Sequence, residues 1–165
     1  ELVQDFRSRG DDYSAMMAQI LCGCLAEAAV ERLHQLIRTD AALGWGYAPE
    51  ESLTPEELLK GRYQGIRPAP GYPACPDHRE KEAIWRLLDV EHRTGMTLSD
   101  TWFMHPAASV CGYFFANPVS RYFAVSRAGD DQVSDYAART GLDEGTVRRL
   151  LAGILEDRGQ NGEHA

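Results

Sequence analysis

The sequence is short of lysine and has no excess of base. Lys60 and Lys81 are its only lysines among 17 basic residues, and 25 acids leave a net charge of −8. Such a balance gains little from displacing counterions, which argues against non-specific binding to nucleic acid or an anionic membrane. The preference for arginine reads as compositional bias and not as a phosphate-binding signal. No run of about 18 apolar residues occurs, so no segment is expected to span a membrane. Glu1 is followed by no charged-then-apolar signal stretch, and the chain reads as a piece of something longer.

Catalytic and metal signatures are missing as well. His78, His92 and His105 share no ligand spacing on one element, and no H-x-x-x-H or H-E-x-x-H pattern occurs. There is no G-x-S-x-G, no P-loop and no G-x-G-x-x-G. Cysteine occurs only at 22, 24, 75 and 111. Cys22 and Cys24 fall in a helical pattern, where side chains two apart diverge. They are expected as small buried hydrophobes, and a disulfide framework is not expected without a secretory signal.

What is present suits one soluble domain with a single core. The chain has 165 residues, 44% hydrophobic and 25% charged, and a domain near this size buries roughly 68–70% of its unfolded surface. From Asp12 to Arg38, apolar residues recur at three- and four-residue steps behind the cap candidates Asp11, Asp12 and Ser14. This predicts an amphipathic helix in which Gly23 costs roughly 1 kcal/mol against alanine. Gly44-Trp-Gly46 then breaks the chain into a loop. Thr54 caps a short helix with Pro55 at its first position. A helix is expected over about Glu80 to His92, and two more over Asp131–Arg139 and Asp143–Leu155, parted by Gly141.

Between them the pattern turns to strand. Thr101–Met104, Ser109–Phe115 and Arg121–Val125 are rich in β-formers, and Asn117-Pro118 marks a turn. An antiparallel pair across that turn is expected. The order of elements suits an α+β domain, an antiparallel sheet with flanking helices. The polar tail, 156–165, is expected to fray.

Gln64 to His78 is the least generic stretch. Pro68, Pro70, Pro73 and Pro76, with Gly65 and Gly71, forbid regular structure and favour a stiff, extended path. A loop ordered before its ligand arrives loses less entropy on binding. Arg67 offers a planar fork for a carboxylate, Gly71 a place for close backbone approach, and Tyr72 an aromatic face with a polar tip. Together they could hold an amino-acid carboxylate beside a flat heterocycle. A plain proline-rich connector with a surface ion pair would read the same way.

The run Arg67-Pro-Ala-Pro-Gly-Tyr72 resembles a signature of the S-adenosylmethionine-binding activation domain of cobalamin-dependent methionine synthase. The likeness continues, in family order, through Asp12-Tyr-Ser14, Leu25-Ala-Glu-Ala28, Trp45-Gly-Tyr-Ala-Pro49 and Thr94-Gly-Met96. It continues again through Pro106-Ala-Ala-Ser-Val110, Tyr122-Phe-Ala-Val125 and Asp131-Gln-Val-Ser-Asp-Tyr-Ala137. The resemblance implies an S-adenosylmethionine site in which Arg67 binds the methionyl carboxylate and Gly71 and Tyr72 shape the adenosine side. Glu27 would lie near the ligand, and Tyr122 and Phe123 would close the pocket. Without it, Glu27 is an ordinary solvated helical acid, and Tyr122 and Phe123 are ordinary strand aromatics.

The resemblance further implies reductive methylation of cob(II)alamin to methylcobalamin within a cytoplasmic methyltransferase of methionine biosynthesis. Cobalamin would be held by a partner domain, a flavodoxin-type donor would supply the electron, and this chain alone would not complete a turnover. Residues 1–165 would form the C-terminal portion of the activation domain, with 11–155 as its core. Neither nucleic acid nor membrane is an expected partner. A docking or structural subunit that does not hold S-adenosylmethionine by itself is the alternative.

Overall fold

The computed structural model describes residues 1–156, so the expected frayed tail lies outside the described residues except for Glu156. That residue is tied down, its N–H donating to the Ala128 carbonyl at 3.1 Å. The fold is α+β, as expected, with helix dominant and a small antiparallel sheet.

Helix α1 (Leu2–Ser8) packs on the long helix α2 (Asp12–Thr39). The Asp11 carboxylate caps α2 by accepting from the Ser14 N–H at 2.9 Å. Asp40 ends the helix and its side chain accepts from the N–H groups of Ala42 and Leu43, turning the chain back. Helix α3 (Pro55–Leu59) is capped by Thr54, as expected, and Glu57 completes a capping box by reaching back to the Thr54 N–H.

The expected helix over 80–92 is instead two helices, α4 (Lys81–Leu88) and α5 (Val90–Thr94), parted by Asp89 at φ 51°, ψ 49°. In one straight helix Val90 would point about 120° away from Ile84, since six residues advance it by about 600°. The left-handed residue swings Val90 into the cluster it shares with Ile84 and Trp85. Aspartate is one of the few residues that reach this conformation at modest cost.

Strands β1 (Thr97–Leu98) and β2 (Met104–His105) pair antiparallel, Thr97 against His105 and Leu98 against Met104. This corrects the expected pairing across Asn117-Pro118, because 109–115 and 121–125 do not pair with each other. Each pairs with the proline-rich loop. Ile66 and Phe115 exchange both backbone hydrogen bonds at 3.0 and 2.9 Å, and the Tyr113 N–H donates to the Pro68 carbonyl at 2.9 Å. From the other side the Val125 N–H donates to the Pro73 carbonyl at 2.8 Å. Proline has no N–H, so the loop accepts at these positions and cannot extend a sheet.

Helices α6 (Asp130–Thr140) and α7 (Glu144–Leu150) form the C-terminal pair, and the expected second helix ends early in a 3-10 turn at Ala152–Ile154. Among the described residues the buried apolar side chains form two clusters and not the single core expected. Val133, Ala137, Val147 and Leu151 make one, and Ile84, Trp85 and Val90 the other. The Tyr136 hydroxyl joins α6 to the loop by donating to the buried Asp77 carboxylate at 2.7 Å.

The N-terminal half of α2 stays largely open. Met16, Ile20, Leu21 and Leu25 are each more than half exposed. Cys22 and Cys24, which point in nearly opposite directions, are exposed too, which corrects their expected burial. By length and composition α2 is apolar enough to cross a membrane, with a mean hydropathy of 1.4 over its most apolar window. An average of that size needs no unbroken apolar run, which is why none was found in the sequence.

Candidate functional site

The proline-rich loop lies against the polar side of α2, and Arg67 is the bridge between them. Its Nη2 donates to Glu31 Oε2 across a half-buried contact, and its Nη1 donates to the Tyr63 hydroxyl at 3.0 Å. The Arg67 backbone N–H donates to the Tyr122 hydroxyl at 2.9 Å, which places the 121–125 segment beside it. Burial alone would lower the Arg67 pKa. The Glu31 hydrogen bond and the nearby Tyr63 outweigh it, so the group is held above its ordinary value.

Tyr63 is backed in turn by α2. The Arg38 guanidinium sits 4.4 Å from its ring centre, and His34 meets it edge-on at 4.9 Å. Burial, with the hydrogen bond shared with the Tyr122 hydroxyl, raises the Tyr63 phenol well above its usual range. Arg38 and His34 are both fully buried. Arg38 Nε and Nη2 reach the two Glu51 oxygens at 2.8 and 2.7 Å, a closed fork. His34 stacks on Phe114 at 5.0 Å, and neither of its ring nitrogens has a partner among the described residues. Burial, then the charges of Arg38 and Arg67, push its pKa down to about 4, so the ring is neutral at pH 7.

In front of Arg67 opens a cleft of about 810 Å³. Five of the residues singled out in the sequence line it: Glu27, Arg67, Tyr72, Tyr122 and Phe123. Trp85, Met96 and Tyr113 give it apolar and aromatic surface, and His78 and Lys81 line it as well. Lys81 is buried, and burial lowers its pKa; its Nζ lies 2.7 Å from His78 Nδ1. A cleft of this size with few convergent polar groups is what a small-molecule site requires.

Gly71 is the sixth residue and does not line the cleft. Its φ is +94°, and a Cβ there would lie 2.1 Å from His78 Cε1. The missing side chain makes room for the His78 ring and permits the left-handed turn, closed by Gly71 N–H to Cys75 carbonyl at 2.7 Å. Glycine at this position is thus a packing requirement of the loop.

Glu31, Tyr63, His34 and Arg38 escaped the sequence reading. A signal existed: Glu27, Glu31, His34 and Arg38 recur at steps of four, three and four along one stripe of the helix. Chemically, the cleft offers a fixed guanidinium with unused donors, an acid, and several aromatic faces. Among the described residues it offers no activated nucleophile, since burial pushes the Cys111 thiol up.

Residues 1–141 match the family described as the activation domain of vitamin B12 dependent methionine synthase. Among solved structures the chain is similar to the MetH reactivation domain crystallised with AdoHcy, with a TM-score of 0.88 and 49% sequence identity. The match covers 94% of this chain and 47% of that one, so this chain spans about half the length of its solved relative.

Proposed function

We propose, from the premise that this chain belongs to the vitamin B12 dependent methionine synthase activation-domain family, that its cleft binds S-adenosylmethionine. The observation that carries this reading is the convergence of Glu27, Arg67, Tyr72, Tyr122 and Phe123 on one cleft, although 96 residues of sequence separate the first from the last. The similar reactivation domain is bound to AdoHcy, which has the adenosine and amino-acid parts of S-adenosylmethionine.

The residues present fit that ligand. Arg67 takes the methionyl carboxylate with the N–H groups that Glu31 and Tyr63 leave open, Glu27 faces the ammonium, and Tyr72, Tyr122 and Phe123 border the adenosine. Gly71 acts indirectly, by shaping the turn that presents Tyr72. The chain's part in catalysis is then positioning of an already electrophilic methyl group, which asks no acid or base of it. Cobalamin, held in a partner domain, supplies the metal centre that accepts the methyl. A flavodoxin-type electron donor and a cytoplasmic setting belong to the same reading.

The chain is further read as the C-terminal portion of its domain, with 11–155 as core and α1 packed on it. Two observations support this. It exposes 11853 Å², where a compact monomer of its mass would expose about 8,200 Å². The N-terminal half of α2 leaves Met16, Ile20, Leu21 and Leu25 more than half exposed, apolar surface that a further part of the domain would cover.

Calorimetric titration of the chain with S-adenosylmethionine tests the proposal. Saturable binding is expected, and Arg67→Ala should weaken it about 10- to 100-fold, the worth of hydrogen bonds to a charged group. Absence of heat at millimolar ligand would leave the docking role in its place.

A further inference from the structure

The ion pair between Arg67 and Glu31 differs in kind from the one between Arg38 and Glu51. Glu51 closes the fork: its two oxygens meet Nε and Nη2 of Arg38, and both side chains are almost wholly buried. Glu31 does not. One of its oxygens takes one N–H of Arg67 Nη2, while its other oxygen is buried without a partner among the described residues. Tyr63 takes one N–H of Nη1. A guanidinium carries five N–H groups, so the two anchors hold each arm of the fork and leave three N–H groups available. Arg67 lines the cleft and Glu31 does not.

Resting on the reading of the cleft as an S-adenosylmethionine site, we propose that Glu31 is the positioning residue for Arg67, fixing the guanidinium for the ligand carboxylate without touching the ligand. An arginine has four rotatable side-chain bonds and loses much freedom on ordering, so a fork held in advance binds more tightly. Glu31 stands one helical turn after Glu27. Helix α2 therefore presents one acid to the cleft and uses the next to hold the cleft's cation. The single-point contact also argues against competition: a glutamate that blocked the site would chelate the guanidinium, as Glu51 chelates Arg38.

The test compares two ligands on the full chain. S-adenosylmethionine carries the amino-acid part, and 5′-methylthioadenosine lacks it. Glu31→Gln is expected to weaken S-adenosylmethionine roughly 10-fold and to leave 5′-methylthioadenosine at the wild-type affinity. In an Arg67→Ala background the same change should have no further effect. Retained 5′-methylthioadenosine binding, with a circular-dichroism melt, reports that the variant is folded. If the glutamine variant fails to fold, Glu31→Asp keeps the charge but shortens the reach, and the same selective loss is expected at smaller size. Equal weakening of both ligands would overturn the proposal in favour of a merely structural role. Unchanged or tighter S-adenosylmethionine binding would overturn it too, as a bystander or a competitor. Failure of the wild-type chain to bind S-adenosylmethionine at all would bring down the cleft assignment itself, and Glu31 with it.

Discussion

Removing Glu51 should cost the chain a large part of its stability. Arg38 is fully buried and Glu51 nearly so, with side-chain exposures of 0% and 7%. Arg38 already has one terminal nitrogen, Nη1, with no partner among the described residues. In Glu51→Ala the guanidinium would keep the Tyr63 ring, 4.4 Å away, but would lose both of its hydrogen-bonded carboxylate oxygens. Truncating one partner of a buried pair leaves an uncompensated charge and costs about 3–5 kcal/mol. A domain of this size owes its fold to only about 5–15 kcal/mol. At about 2–4 °C per kcal/mol, the melting temperature should fall by about 6–20 °C.

Replacing the pair together separates charge burial from simple loss of contacts. Arg38→Met with Glu51→Leu removes both charges and fills the space with apolar atoms, a change that is often neutral or stabilising. The double variant should therefore melt above Glu51→Ala. It carries an internal check, because the Arg38 charge is one cause of the depressed His34 pKa. With Arg38 gone, the His34 titration followed by NMR should move upward from about 4. Urea and thermal unfolding by circular dichroism measure the stabilities. A loss under about 1 kcal/mol for Glu51→Ala would refute the reasoning, since that is the worth of an exposed pair. So would a double variant less stable than the single one.

His34 should make the fold acid-sensitive. Its folded pKa of about 4 lies below the ordinary 6.5, so between those values the unfolded chain binds the extra proton. Stability is complete above pH 6.5 and falls as pH drops toward 4, by about 3 kcal/mol in all; urea midpoints that stay flat from pH 7 to pH 4.5 would contradict this. Gly71→Ala forces a Cβ to 2.1 Å from His78 Cε1 at φ +94°. The strained backbone alone is worth on the order of 1–3 kcal/mol, and a lowered urea midpoint together with weakened S-adenosylmethionine binding is expected. Tyr136→Phe strips Asp77, only 3% exposed, of its hydroxyl donor. It should cost about 1–3 kcal/mol in urea unfolding. Burial and the Asp77 contact hold the phenol up to about 12, so the donor persists across the accessible pH range.

The helices readable from the sequence were those whose signals are local. The apolar spacing of α2, the Thr54 cap and Gly141 each act within a few residues. Helix α1 lacks a side-chain cap bond and was missed. The break at Asp89 was missed for another reason: no glycine marks it, and its cause is the position of Val90 in a tertiary cluster. The aromatic and β-branched runs at 109–115 and 121–125 were mistaken for a hairpin. Strand composition there serves the cleft, since Tyr113, Phe114, Tyr122 and Phe123 all line it.

The same distinction separates Arg67 from its anchors. A guanidinium in a stiff loop is visible as chemistry because arginine's shape is intrinsic to the residue. Glu31 is 36 positions away on another element, and nothing local distinguishes it from a solvated helical acid. The discriminating feature is the company it keeps. Glu27, Glu31, His34 and Arg38 fall on one side of the helix, and polar groups so arranged need partners wherever that side is buried. The proline-rich loop supplies one to Glu31 with Arg67, Glu51 supplies one to Arg38, and the Tyr63 ring lies between Arg38 and Arg67. The loop is held through that stripe, so the geometry of the cleft depends on α2 as much as on the prolines. A substitution that turned or shortened α2 near Glu31 would therefore disturb the carboxylate site while leaving every residue of the loop in place.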